Sequence, residues 1–337
     1  MWFSDFFNKY RCVSQPTSCP SQPAWSYGGD DQRSPVRGKY LKFGTQEFKP
    51  KVNQTTNSST IKNYQCPEGP IVAVLGAGRL GNQIWDYAST WSVARRLNRT
   101  AYVQDSIISE LSKMFENLSL KPLSDFKKCR QPLPPAVPLD KLFPLDTLGR
   151  RFRARNLLLP AFSQLLEVVL PDKELLRREL KFKPELVAEA QKTIEEVAGR
   201  GKMVVGIHVR RDDFGTFLPL TFHSKLTTEN YFKNAMEWYR QKYGSSTFFL
   251  IVSDDLGWCK RLLGNDSKLA SKNPRHDLIL LSLCDHTIID YGTFGFWGAF
   301  FSRGHTVSLN VEQNFTSVMS VKANWTLFDK ETLSVIG

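Results

Sequence analysis

Between Ile71 and Val103 the chain reads IVAVLGAGRLGNQIWDYASTWSVARRLNRTAYV. Ile71 to Leu75 is a continuous apolar run of strand length, the pattern of a strand buried on both faces of a parallel sheet. Gly76 to Gly81 interrupts it, and Ile84, Tyr87, Ala88, Trp91, Ala94 and Leu97 then recur at helical spacing. Ala101-Tyr102-Val103 reads as the next strand. Strand, helix and strand in this order form a βαβ unit, which joins parallel strands through a crossover helix.

The same alternation restarts at Gly201. Met203–Val209 and Thr247–Val252 read as strands, Thr228–Tyr243 as a helix capped by Thr228, and Leu256–Leu263 as a short helix. A helix over Leu278–Leu283, a strand over Thr287–Ile289, a helix over Phe294–Phe301 and a last strand over Thr306–Leu309 follow. Between the two blocks, residues 121–160 are Pro-rich and basic and read as surface loops, whereas Pro171–Ala198 carries helical periodicity. Residues 1–69 are rich in Gln, Ser, Thr, Pro, Gly and Lys without an apolar period, the composition of a flexible stem. The expected organisation is a stem over 1–69, an N-terminal α/β domain over 70–200 and a C-terminal α/β domain over 201–337. The two domains should be doubly wound and face each other across a cleft.

Composition bounds what such a chain can be. Its 337 residues are 41% hydrophobic and 23% charged, with 8 Trp and 23 Phe, enough apolar material for a buried core. Forty-five Lys and Arg against 33 Asp and Glu give a net charge of +12, which suits an anionic partner without choosing among nucleotide, nucleic acid, anionic glycan or membrane surface. The densest basic run, Arg150-Arg151-Phe152-Arg153-Ala154-Arg155, is a single short stretch with one aromatic and reads as a solvated face rather than a nucleic-acid site. No stretch reaches the ~20 apolar residues of a membrane-spanning helix, and no signal peptide is legible at the N-terminus; as written, the chain reads as soluble. Its six cysteines show no zinc spacing, so no metal site is expected. Asn-x-Ser/Thr occurs at Asn53, Asn57, Asn98, Asn117, Asn265, Asn314 and Asn324, well above chance for this composition, and points to passage through a secretory lumen. Asn98 reads as buried at a helix end, which leaves six as glycosylation candidates.

Three motifs carry chemistry. Gly76-Ala77-Gly78-Arg79-Leu80-Gly81 satisfies G-x-G-x-x-G after a strand and before a helix, where glycines let backbone approach a pyrophosphate. Asp105 stands where a dinucleotide fold places its ribose carboxylate, so an NAD-dependent oxidoreductase is one reading; a tight turn that merely needs glycine is the other. Gly206-Ile207-His208-Val209-Arg210-Arg211-Asp212-Asp213 lies at the carboxyl end of a strand, where open α/β sheets bind ligands. There two guanidiniums and a histidine could grip a diphosphate and Asp213 could orient one of them, against the plainer reading of a solvent-facing salt bridge. Asp285 to Gly298 brings Gly292-Thr293-Phe294-Gly295 to a helix start, fit to give backbone N–H groups and a hydroxyl to phosphate. Phe296, Trp297, Phe300 and Phe301 read as buried helix. Walker A, H-E-x-x-H, G-x-S-x-G and a strict Asp-x-Asp are all absent from the sequence, which favours a metal-free diphosphate site built on arginine.

Taken together, GRLGNQ at 78–83, GIHVRRDD at 206–213 and CDHTIIDYGTFGFWGAF at 284–300 resemble the α1,2-fucosyltransferases that act on galactosides, over about residues 70–330. The resemblance implies a GT-B-like fold of two Rossmann-like domains, GDP-fucose as donor substrate without a separate cofactor or metal, and inversion at the fucose anomeric carbon. It places His208, Arg210, Arg211 and Asp213 in the donor site, with one arginine stabilising the departing β-phosphate. Thr293, Phe294 and Gly295 would line the nucleotide pocket, and Gly78, Arg79, Asn82 and Gln83 would face the sugar from the opposite domain. Asp86 is the implied base and Asp213 the alternative. Cys259 and Cys284 match family positions and are expected to pair as a disulfide. The implied partners are a nucleotide sugar and a galactose-terminated glycan, not nucleic acid, and the implied location is the Golgi membrane with a lumenal catalytic domain, although no signal anchor is visible. A non-catalytic glycan- or polyanion-binding module is the remaining rival.

Overall fold

The computed structural model describes residues 66–138, 142, 147–222, 225–310, 325–329 and 335–336. The expected stem up to residue 65 and the sequons at Asn53, Asn57, Asn314 and Asn324 lie outside these residues. The βαβ unit forms as the pattern requires: β1 (Val72–Val74), a helix over Leu80–Leu97, and β2 (Ala101–Val103), paired in parallel with Val72 opposite Ala101. Two further parallel strands complete this sheet, β3 (Lys121–Pro122) beside β2 and β4 (Leu157–Leu159) beside β1, in the order β3-β2-β1-β4.

The second sheet has β5 (Val204–Val209), β6 (Phe248–Ser253), β7 (Ser267–Leu269), β8 (His286–Ile289), β9 (Thr306–Asn310), β10 (Thr326–Asp329) and β11 (Val335–Ile336). Their order is β11-β10-β9-β8-β5-β6-β7, all parallel except the last hairpin pair β10–β11. The order turns back at β5, between β6 and β8, so the carboxyl end of β5 opens into the crevice where such sheets take ligands. This is the α/β architecture of two doubly wound parallel layers that the sequence predicts.

Several local expectations need correction. β4 falls in the segment read as loops: Leu157 to Leu159 is buried, and a three-residue strand among prolines gives no periodicity to detect. The periodic stretch Pro171–Ala198 is two helices, Lys173–Glu179 and Pro184–Ala198, because Pro184 has no N–H to continue the first and starts the second instead. Residues 256–263 form one α-turn and one 3₁₀ turn, and the helix expected from Phe294 begins at Gly292. Thr228 precedes Glu229–Tyr243 but makes no side-chain cap bond. Asn98, expected to be buried, is an exposed left-handed C-cap with φ 51°, and Asn117 and Asn265 are exposed as well.

The helix Pro184–Ala198 lies within the span expected for the first domain, yet it packs on the helix Pro274–Leu283 and on β6. One apolar core runs from β1 and β4 through the helix Leu80–Leu97 to the helices Pro274–Leu283 and Gly292–Phe301; a second core fills the other face of the large sheet. Cys284 belongs to the first and Cys259 to the second, and both are free buried thiols. The expected disulfide between them is therefore overturned: Cys259 ends the helical turn Leu256–Cys259 in one core and Cys284 caps the helix Pro274–Leu283 in the other, so the large sheet lies between the two sulfurs. A disulfide joins Cys66 to Cys129 instead. The loops after β1, β4, β5 and β8 leave the carboxyl ends of their strands, which sets the site.

Candidate active site

A cavity of about 1010 Å³ opens between the carboxyl ends of the two sheets. One wall is the loop after β1, the other the loops after β5 and β8. The wall-to-wall fit explains the glycines. A Cβ on Gly81 would stand 2.6 Å from Thr293 Oγ1 and 2.8 Å from the Phe294 backbone nitrogen. The indole Nε1 of buried Trp297 donates to the Gly81 carbonyl at 2.9 Å, and Trp85 packs on Phe296 and Trp297 with ring centroids 4.6 and 5.0 Å away. Aromatic pairs of this kind contribute about 0.5–1.5 kcal/mol each beyond the area they bury. Gly78 is required for a second reason: its φ is +82°, a left-handed conformation. The glycine loop thus serves close packing between the two layers. Asp105, the ribose ligand of the oxidoreductase reading, spends its carboxylate on the Ser124 amide at 2.9 Å and does not line the cavity.

On the opposite wall, Arg210 leaves β5 with its amide donating to both carboxylate oxygens of Asp290, each at 3.1 Å. Asp290 is buried at the end of β8, so this pair fixes the direction of the turn. The Arg210 guanidinium is 14% exposed, donates to Asp213 and Asp254, and lies 5.1 Å from the Phe214 ring centroid. From the glycine loop, Arg79 reaches across to Asp212 at 3.3 Å and to Asp213 at 3.6 Å. A second ion pair crosses the cleft between Glu110 and Arg275 at 2.8 Å. Asp212, Asp213 and Asp254 bring carboxylates within 4.8 Å of one another, and each is paired with Arg79 or Arg210.

The adjacent arginines divide. Arg211 turns out of the cavity: its guanidinium lies 3.9 Å from the Trp258 ring centroid and donates to the Thr227 carbonyl, while its amide holds Asp254 at 2.9 Å. His208 stays at the cavity edge, 5% exposed, with Nδ1 3.7 Å from Asp290. Burial, reinforced by the charge of Arg210, pushes the His208 imidazole down to about 3, and burial pushes the Asp290 carboxyl up to about 7, so the pair favours its uncharged forms. Gly295 lies beneath His208, where a Cβ would come within 2.7 Å of Nδ1, and does not line the cavity. Thr293 and Phe294 do line it, in the first turn of a helix whose positive end faces the arginine.

Of the remaining expected residues, Gly78, Arg79, Asn82, Gln83 and Asp213 line the cavity, but Asp86 does not. Asp86 is fully buried, accepting from the amides of Ser163 at 2.9 Å and Ala77 at 3.3 Å, and desolvation pushes its carboxyl up to about 7 against those hydrogen bonds. It ties the glycine loop to the turn after β4. Asp254 and Asp290 were missed in the sequence. Asp290 stood inside a quoted motif with no role, and Asp254 follows a strand end, the one signal that could have marked it.

The profile described as Glycosyl transferase family 11 matches residues 173–328. The galactoside 2-alpha-L-fucosyltransferase Sec1 of Mus musculus is 30% identical over 256 residues, covering 71% of this chain and 66% of the relative. The corresponding SEC1 protein of Bos taurus is 28% identical over 263 residues, covering 74% and 68%. Among solved structures, the fucosyltransferase NodZ from Bradyrhizobium aligns over 70% of this chain and 93% of its own with 17% identity and a TM-score of 0.47.

Proposed function

Because the chain belongs to the galactoside 2-alpha-L-fucosyltransferase family, we propose that it moves L-fucose from GDP-fucose to the 2-hydroxyl of a terminal galactose on a glycan. In this reading the transfer inverts the anomeric carbon and needs no metal. The observation that carries it is Arg210: a partly buried guanidinium at the carboxyl end of β5, beside the helix start at Thr293 and Phe294. As the bond to fucose breaks, charge grows on the β-phosphate, and a fork-shaped cation with helix N–H groups stabilises that charge. This cation is held by Asp213 and Asp254, so donor binding exchanges carboxylate for phosphate. Asp213 and Asp254, which both line the cavity, are then released from Arg210, and we assign the acceptor proton to Asp213 in place of Asp86. A Golgi lumenal location follows from the family resemblance and agrees with exposed sequons at Asn117 and Asn265 and with the Cys66–Cys129 disulfide. No helix among the described residues is long and apolar enough to cross a membrane.

Calorimetry with GDP, GDP-fucose and NAD in EDTA tests the donor, and transfer to galactosides with NMR of the product linkage tests the reaction. With net charge-assisted hydrogen bonds at ~1.5–3 kcal/mol each, losing two in Arg210→Ala should weaken GDP about 10²-fold or more. Arg211→Ala, outside the cavity, should cost less than about tenfold. NAD binding without GDP binding would overturn the reading, as would equal losses in the two variants. Near-normal turnover in Asp213→Asn with none in Asp86→Asn would return the base to Asp86.

A further inference from the structure

Phe162 adopts φ 61°, a left-handed conformation that bulky residues avoid. Backbone of this kind persists only where its surroundings over-determine it, and here they do. Asp86 accepts from the amides of both Phe162 and Ser163. Ser89 donates to the Ser163 carbonyl and accepts from the Leu165 amide at 3.1 Å, and Ser163 Oγ donates to the Pro160 carbonyl at 2.6 Å. Asp86, Ser89 and Ser163 are all fully buried. A carboxylate and two hydroxyls have thus been taken into the core to fix one six-residue turn after β4.

The turn presents Phe162 and Gln164 to the cavity while Ser163 between them faces the core. The Phe162 ring edge approaches Gly78 so closely that a Cβ there would lie 2.8 Å from Cε1. Asn82 and Gln83 line the same wall; Gln83 donates Nε2 to the Gly78 carbonyl at 3.2 Å, and its Oε1 has no hydrogen-bond partner among the described residues. A half-buried aromatic ring bordered by carboxamides is the chemistry that holds a pyranose: C–H groups on the ring, hydroxyls on the amides. The wall opposite carries Arg210.

We infer that Phe162 is the acceptor platform and determines specificity for the terminal sugar, with Gln164 and Asn82 taking its hydroxyls. The inference rests on the proposed transfer to a galactoside. An axial 4-hydroxyl leaves C3–H, C4–H and C5–H of galactose as one continuous apolar face, which a flat ring covers while the 2-hydroxyl stays at the sugar's edge. The equatorial 4-hydroxyl of glucose breaks that face. Phe162 therefore separates galactose from its 4-epimer, and the ties to Asp86 keep the ring in place before the sugar arrives.

Lactose and cellobiose differ only at C4 of the terminal sugar and serve as acceptors in a steady-state comparison, with GDP calorimetry on the same full-length proteins. Phe162→Leu keeps apolar volume without the ring. It should raise the KM for lactose about tenfold, reduce kcat less and narrow the lactose over cellobiose preference, with GDP affinity within about twofold of wild type. Phe162→Tyr, which keeps the ring, should retain the lactose over cellobiose preference that Phe162→Leu loses. An unchanged lactose KM in Phe162→Leu overturns the inference, and so does a parallel loss of GDP affinity, or a Tyr variant as impaired as the Leu variant. A wild-type protein that binds GDP yet fucosylates no galactoside sinks the proposed reaction itself, and the platform with it. Retained GDP binding identifies a variant as folded.

Discussion

Gly81→Ala places one methyl at the tightest point between the two layers. The added carbon would meet Thr293 Oγ1 at 2.6 Å, the Phe294 nitrogen at 2.8 Å and the Thr293 carbonyl carbon at 2.9 Å. Two of these atoms are backbone, so rotating a side chain away gives no relief. Restoring ordinary contact needs a movement of roughly 0.5 Å, and overpacking of this size costs about 1–3 kcal/mol. At an unfolding entropy of about 2.1 cal/mol/K per residue, a chain of 337 residues loses about 1.4 °C of melting temperature per kcal/mol, giving a drop of roughly 1–4 °C. The movement also carries Thr293 and Phe294, which line the proposed diphosphate site, and displaces the Gly81 carbonyl from the Trp297 indole. A shift of that order at a binding site should weaken GDP about tenfold. Thermal unfolding by circular dichroism and GDP calorimetry on one preparation read both effects. Gly69→Ala is the control, because a Cβ there meets nothing within 4 Å. If Gly81→Ala melts with the control and binds GDP as tightly, then the approach of the two layers does not require glycine at this position.

Two further outcomes are expected. Burial holds the Asp86 carboxyl up at about 7 against 3.8 in the unfolded chain. The folded state therefore keeps a proton that the unfolded state has released: this stability is complete below about pH 4, is lost as pH rises to about 7, and changes no further above that. Urea midpoints of wild type and Asp86→Asn across this range should converge with rising pH, the untitratable variant gaining on the wild type; parallel curves would show that Asp86 titrates like an exposed carboxylate. For the cysteines, alkylation of unfolded, unreduced protein followed by peptide mapping should find Cys66 linked to Cys129 and both Cys259 and Cys284 alkylated. In the native protein both thiols should resist the reagent, since burial hides them and pushes their pKa values up, Cys259 to about 11. A peptide joining Cys259 to Cys284 would contradict the placement of the two sulfurs on opposite sheet faces.

The strands with long β-branched runs were legible because their signal is local: β1, β5 and β6 each carry their burial in their own residues. β4 was not, since three leucines become a strand only when β1 offers an open edge for Leu157 to Leu159 to pair with. The site divides in the same way. His208, Arg210, Asp213, Thr293 and Phe294 stand at strand or helix ends, and their motifs could be read directly. Asp254 and Phe162 take their meaning from groups more than 40 residues distant, Arg210 and Asp86, and no window on the sequence contains both partners.

By itself the sequence determined the class of fold, the order of most elements, and the three motifs whose co-linear resemblance names the family, because residue periodicity and motif spacing are properties of the chain alone. The tertiary structure decided which of two neighbouring arginines faces the cleft. It buried Asp86 between the glycine loop and the turn after β4, and it put Cys259 and Cys284 on opposite sides of a sheet. Each of those outcomes depends on the direction in which a side chain leaves its backbone and on what another segment has placed there. Burial and pairing across the fold fix both, and neither is written in local order.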